Sequence, residues 1–139
     1  MWEGLNDAGA VRVLGTGIDI VETKRIAESV ERFGDRFLNR CFWPEEVAYC
    51  RSMKAPAIHL AARFAAKEAV SKAFETGIGG QLGWKDMEIR KRDSGAPYVV
   101  LHGRGEELAK QRGVTGVFVS LSHTAEYAAA QAVIVSAAG

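Results

Sequence analysis

Positive and negative charge nearly cancel in this chain: 18 Lys and Arg stand against 17 Asp and Glu, a formal net charge of +1 over 139 residues. That balance excludes gross attraction to nucleic acid or to an anionic membrane as the dominant property, while leaving room for a local patch. Cysteine is scarce as well. Cys41 and Cys50 are too few for a disulfide framework, and with three scattered histidines they offer no zinc-ligand spacing. No apolar run approaches the ~18 residues of a membrane span. The first ten residues carry Glu3 and Asp7 and no basic start, so they are not patterned as a signal peptide. Proline occurs only three times, and no internal repeat or low-complexity tract is visible. There is no Gly-x-Ser-x-Gly elbow and no P-loop glycine signature. What is left is ordinary globular composition, 47% hydrophobic and 25% charged, in a length that suits one domain. The expectation is a soluble, cytoplasmic protein, with residues 1–10 a poorly ordered extension and residues 11–139 a single domain.

Residues 11–21 (VRVLGTGIDIV) are rich in Val and Ile and alternate, which predicts a strand. Strict alternation places Val11, Val13, Gly15, Gly17, Asp19 and Val21 on one face, and the two glycines signal a bulge or a close backbone approach. Residues 23–33 are helix-prone, with Thr23 available as N-cap. Gly34 breaks the pattern before a second short helical stretch at 35–40. Pro44 with Glu45 and Glu46 marks a helix start. Pro56 opens the longest helix, expected from Ala57 to Glu75 and ended by Gly77, Gly79 and Gly80. Residues 86–92 and 97–102 bracket Asp93-Ser94-Gly95 as a hairpin. A short helix at 103–112 and strands at 117–122 and 127–135 complete an α+β chain, with a mainly antiparallel sheet packed against the long helix.

Chemistry concentrates in three places. On the long helix, His59, Arg63 and Lys67 follow one another at i+4 as a basic stripe, and Glu68 and Lys72 form an i,i+4 pair on a different flank. The spacing alone fits a surface ion pair worth about 0.3–0.5 kcal/mol. Asp19 interrupts an otherwise apolar strand. A carboxylate on a part-buried face is paired, metal-bound or used to cap the next helix, and the residues leave these open. Ser120-Leu121-Ser122-His123-Thr124 ends a strand with hydroxyls and one histidine. Ser122 and His123 are adjacent, so their side chains diverge and no serine-hydrolase triad is supported. A further basic stripe, Arg25, Arg32 and Arg36, shares one face if residues 23–40 are largely helical. In a chain so close to neutral it suits an acidic protein partner, or a solvated surface.

Three segments in order, Gly17-Ile18-Asp19-Ile20-Val21-Glu22, Arg63-Phe64-Ala65-Ala66-Lys67-Glu68-Ala69-Val70-Ser71-Lys72-Ala73 and Ser120-Leu121-Ser122-His123-Thr124, resemble the holo-acyl-carrier-protein synthase family, the small phosphopantetheinyl transferases of bacterial fatty-acid synthesis. The similarity runs over roughly residues 13–136 and includes Thr76-Gly77-Ile78-Gly79 and Gly95-Ala96-Pro97. It implies transfer of the 4′-phosphopantetheine arm of coenzyme A to a serine of apo acyl carrier protein, with adenosine 3′,5′-bisphosphate as the other product. It implies Mg²⁺ held by Asp19 and Glu68, catalytic roles for Glu68, Lys72 and His123, and homotrimers with active sites at subunit interfaces. Arg63, Lys67, Ser71, Lys72, Gly77, Pro97, His123 and Thr124 become the expected coenzyme A contacts, and Arg25, Arg32 and Arg36 the contacts to the carrier protein. The serine proton goes to Glu68 or to a water that Glu68 orients on the metal. Two other classes use the same residues: a metal-dependent phosphohydrolase of nucleotides or coenzyme A, and a non-catalytic coenzyme A-binding protein.

Overall fold

The first strand runs longer than its apolar core, because β-branched residues continue to its end. A computed structural model describes residues 11–137, and the expected extension at residues 1–10 lies outside the described residues. Strand β1 spans Val11–Glu22 and leads into α1 (Thr23–Phe33), α2 (Asp35–Cys41), α3 (Pro44–Ser52) and α4 (Pro56–Ala73). The hairpin strands β2 (Met87–Lys91) and β3 (Pro97–Leu101), helix α5 (Gly103–Arg112) and strands β4 (Gly116–His123) and β5 (Tyr127–Ala137) follow. The main sheet is antiparallel in the order β1-β5-β4, and β2 pairs with β3 in a separate ribbon.

Helix α4 lies across the main sheet, mostly over β1 and β5. Small residues allow the close fit. A Cβ on Gly17 would stand 1.9 Å from the Ala69 carbonyl oxygen, and one on Gly15 2.0 Å from that of Ala73. Opposite them, Ala128, Ala130 and Ala132 of β5 are buried under Ala62, Ala65, Ala66 and Ala69. An alanine-lined helix therefore approaches a glycine- and alanine-lined sheet, as the two glycines of β1 predict.

Two expectations are corrected, and the break at Gly34 stands. A bulge between Val13 and Gly15 breaks the alternation of β1, so Val11 and Val13 face outward while Gly15, Gly17, Asp19 and Val21 face α4. Thr23 is the first residue of α1 and does not cap it; its hydroxyl is buried without a partner. Gly34, at φ 55°, separates α1 from α2. A groove between the two helices is walled by Ser29, Phe33, Arg36, Phe37 and Arg40.

The outer face of the main sheet is apolar and bare. Val13 is 62% exposed, Ile18 69%, Ile20 66% and Phe118 62%. Four large hydrophobic side chains on one sheet face are an interaction surface by ordinary standards.

Candidate active site

Asp19 points from β1 toward the last two turns of α4. Its Oδ1 accepts a hydrogen bond from Lys72 Nζ at 3.1 Å, and the same ammonium donates to the Ile18 carbonyl at 2.9 Å. Of the alternatives left open for Asp19, the structure shows the ion pair; no side chain caps α1. Glu68 stands one turn before Lys72 on the same flank. Burial pushes its carboxyl above the ordinary value and the negative charge of Asp19 adds to this, while Lys72 and Arg25 pull it back. Two acids and two bases thus meet beside the β1 edge, and Arg25 belongs to this group as well as to the surface of α1.

A second cluster occupies the opposite flank. Successive helix positions turn by about 100°, so His59 and Glu68, nine residues apart, lie half a revolution from each other and roughly 14 Å apart along the axis. The His59 and His123 rings meet edge to face at 5.4 Å. Arg63 is only 6% exposed; its guanidinium rests 4.3 Å from the centre of the Tyr49 ring, and its Nε has no partner. Burial lowers the pKa of His59, and the charges that add to this are all basic: His123, Arg63 and Lys91. Arg63 also lines a cavity of about 480 Å³ between α3, α4 and the hairpin, with Trp43, Tyr49, Glu88, Tyr98 and His102. Among the described residues this buried guanidinium pairs with no carboxylate, which suits it to an anionic ligand.

The remaining expected contacts divide. Thr124 is exposed in the β4–β5 turn beside His123, where its Oγ1 accepts from the Glu126 and Tyr127 amides. Pro97 opens β3 next to Tyr98, and Gly77, at φ 63°, follows α4 close to Lys72. Two contacts are removed by the structure. Lys67 is 0% exposed, and its ammonium donates to Glu46 Oε1 and to the Cys41 carbonyl, both at 2.7 Å. Position 67 follows Arg63 by one turn, but α4 is covered there by α3 and the end of α2, so the stripe runs inward. Ser71 is also fully buried, and its hydroxyl donates to the Glu68 carbonyl at 2.7 Å. Conversely, His59 was visible in the stripe at i−4 from Arg63 without being assigned, and Tyr49 carried no pattern signal at all.

Comparison with known proteins gives the family. The model of the 4′-phosphopantetheinyl transferase superfamily matches residues 15–132. The holo-acyl-carrier-protein synthase of Koribacter versatilis is 47% identical over 122 residues, covering 88% of this chain and 98% of that protein. Among solved structures, the Helicobacter pylori holo-acyl-carrier-protein synthase in complex with coenzyme A is similar at a TM-score of 0.77 and 36% identity, covering 86% of this chain and 98% of that one. The corresponding enzyme from Neisseria meningitidis gives 0.82 and 32%, over 88% and 98%. The chain belongs to the 4′-phosphopantetheinyl transferase superfamily, within its holo-acyl-carrier-protein synthases.

Proposed function

We propose that Asp19, Glu68 and Lys72 of one chain, with Arg63, His123 and Thr124 of a neighbouring copy, form the site of this transferase. The enzyme moves the 4′-phosphopantetheine group from coenzyme A to a serine hydroxyl of apo acyl carrier protein, releasing adenosine 3′,5′-bisphosphate. The observation that carries the shared site is the placement of the two charged clusters on opposite flanks of α4. Asp19 emerges at the β1 edge and His123 at the β4 edge of the same sheet. One extended substrate reaches both sets if the β1 flank of one chain meets the β4 flank of the next. The bare apolar sheet face supports closure of such contacts into a homotrimer, since head-to-tail contacts close into rings.

The donor set of Asp19 and Glu68 fits Mg²⁺, which is usually held by one or two carboxylates with substrate phosphates and water; among the described residues no third His, Cys, Asp or Glu gathers there. Bound at these two acids, Mg²⁺ would supply positive charge against the diphosphate. Lys72 adds a cation on the same side, within reach of the leaving oxygens. Glu68 receives the serine proton as the hydroxyl oxygen bonds to phosphorus and the bond to adenosine 3′,5′-bisphosphate breaks. Arg63, with His123 and Thr124, grips phosphate oxygens at the far end, and Gly77 and Pro97 line the path. Lys67 and Ser71 take no part in it. Arg32 and Arg36, with Arg25 at the rim, face the acidic carrier protein. Residues 11–139 act as one catalytic unit, in the cytoplasm, where coenzyme A and carrier protein are available.

The test is subunit complementation. Glu68→Gln and His123→Ala chains are each expected to be inactive when assembled alone. Mixed by unfolding and refolding, about a quarter of the interfaces pair an intact Glu68 with an intact His123. Holo carrier protein, read by its mass gain, should reappear at about that fraction of the wild-type rate. No recovery in a verified mixed assembly would place the whole site within one chain. Coenzyme A breakdown without carrier protein would show a hydrolase, and binding without turnover a mere coenzyme A-binding protein.

A further inference from the structure

Between α4 and β2 lies the longest irregular stretch of the described residues, 74–83. It begins two positions after Lys72 and contains Gly77. Its internal hydrogen bonds are few. Glu75 N donates to the Lys72 carbonyl, Thr76 N and Gly77 N both donate to that of Ser71, and Gly79 N donates to that of Leu82. Glu75, Gly77 and Gly79 all have positive φ, at 61°, 63° and 155°, and Gly79, Gly80 and Gln81 are exposed. Phe74 and Leu82 are buried in the core, so the stretch is anchored near both ends, while its exposed middle, with two glycines, has little of its own to fix its shape.

Polar ties to that exposed middle and to the loop's ends come from α5, a helix that carries no residue of the proposed site. Arg112 donates to the Phe74 carbonyl at the C-terminal cap of α4 and, at 3.5 Å, to Gln81 Oε1. Arg104 Nη1 donates to the Gly80 carbonyl at 2.6 Å, while its Nη2 pairs with Asp86 Oδ2 at 3.2 Å. That same carboxylate oxygen accepts the Gly83 amide at 2.7 Å. Two arginines thus fasten the stretch at its start, middle and end. Both are exposed, so neither is needed to fill the core.

We infer that Arg104 and Arg112 are positioning residues for coenzyme A: from α5 they hold the 74–83 loop in the shape that the coenzyme meets beside Lys72. The inference rests on the proposal that Gly77 and Lys72 contact coenzyme A. A loop fastened in advance need not be ordered by the ligand, and the entropy of ordering is then not subtracted from affinity. The two arginines touch neither the acids nor the carrier-docking helices, so chemistry and carrier binding stay as they are.

The experiment is steady-state kinetics of the full-length Arg104→Ala/Arg112→Ala enzyme, with hydrogen exchange of the loop amides. The KM for coenzyme A should rise about tenfold. The kcat at saturating coenzyme A and the KM for apo carrier protein should stay within about twofold. Loop amides should exchange faster in the variant, with β1 and α4 unchanged. Arg112→Lys should keep near wild-type KM, because an ammonium still reaches the Phe74 carbonyl. Arg104→Lys should not, because one ammonium cannot hold Gly80 and Asp86 together. A variant with faster loop exchange and an unchanged KM for coenzyme A would overturn the inference, as would an equal rise in both KM values. Wild-type loop amides that coenzyme A fails to protect would instead remove the coenzyme site proposed here, and the inference with it.

Discussion

Replacing Lys67 separates its two assignments, ligand contact and internal cation. Its ammonium is one member of a buried group: Glu46 Oε1 accepts from Lys67 and from the Trp43 amide at 2.8 Å, and Oε2 accepts from the Ile89 amide at 3.0 Å. One carboxylate therefore ties α3, α4 and β2, and Lys67 adds the end of α2 through the Cys41 carbonyl. Burial lowers the pKa of Lys67 and the charge of Glu46 opposes this. Lys67→Met leaves the Glu46 carboxylate buried without its cation, a loss of about 3–5 kcal/mol. Against a typical total of about 5–15 kcal/mol, and at roughly 3–5 °C per kcal/mol for a chain of this size, the Tm should fall by roughly 10–25 °C. Lys67→Met with Glu46→Gln removes both charges and keeps an amide oxygen for a backbone donor. It should lie within about 1–2 kcal/mol of wild type, which makes it roughly 2–3 kcal/mol more stable than Lys67→Met alone. Urea unfolding at fixed protein concentration, with m unchanged, measures this. The double variant should keep its KM for coenzyme A within about twofold. A Lys67→Met protein as stable as wild type, or a folded double variant that loses coenzyme A, would refute the structural assignment and return Lys67 to the ligand set.

Three further outcomes follow from the charges and the bare sheet face. His59 has its pKa lowered from 6.5 by burial and its basic neighbours, so the unfolded chain binds this proton better and stability falls as pH drops from 6.5 through the lowered value. His59→Gln should remove that loss: its Tm should equal wild type above about pH 7 and exceed it by a few degrees near about pH 5, checked by calorimetry across pH. Ile20→Lys with Phe118→Glu should bring the assembly down to 15.1 kDa chains in sedimentation and abolish transfer with it, and a single-chain species that keeps full activity would contradict the shared site. Arg32→Glu with Arg36→Glu should lower kcat/KM for the carrier protein severalfold while leaving the KM for coenzyme A unchanged, and rising salt should bring wild type toward the variant as exposed charges are screened over about 8–10 Å.

Much of the fold was legible because its signals are local. Pro56 and the glycines after α4 set the helix bounds to within two residues, and Gly15 and Gly17 announced the close approach that Ala69 and Ala73 complete. The pairing of Asp19 was legible for a related reason: it interrupts an apolar strand, and such a charge needs a partner, here Lys72; Glu68 carried no such signal. What escaped was set by packing between distant elements. Nothing in residues 59, 63 and 67 says that the third turn of that stripe is roofed by α3, since the roof is made by Glu46, 21 positions away. The bulge at Leu14 adds one residue to β1, and a single added residue is enough to move Val11 and Val13 to the other face.

That same displacement bears on assembly. With strict alternation, Val11 and Val13 would lie under α4 and the outer sheet face would keep only Ile18, Ile20 and Phe118. The bulge turns two more valines outward, beyond Thr16, and extends the bare strip along β1 toward its start. A β-branched strand exposed along one face while glycines pack its other face is costly in water unless covered. Asp19, Glu68 and Lys72 stand at the edge of that same strand, on its α4 side. In the proposed shared site, a second copy would bring both an apolar sheet face and, at its β4 edge, the Arg63–His123 cluster, so that apolar closure and charge complementarity to one long polyanionic substrate would be met by the same neighbour.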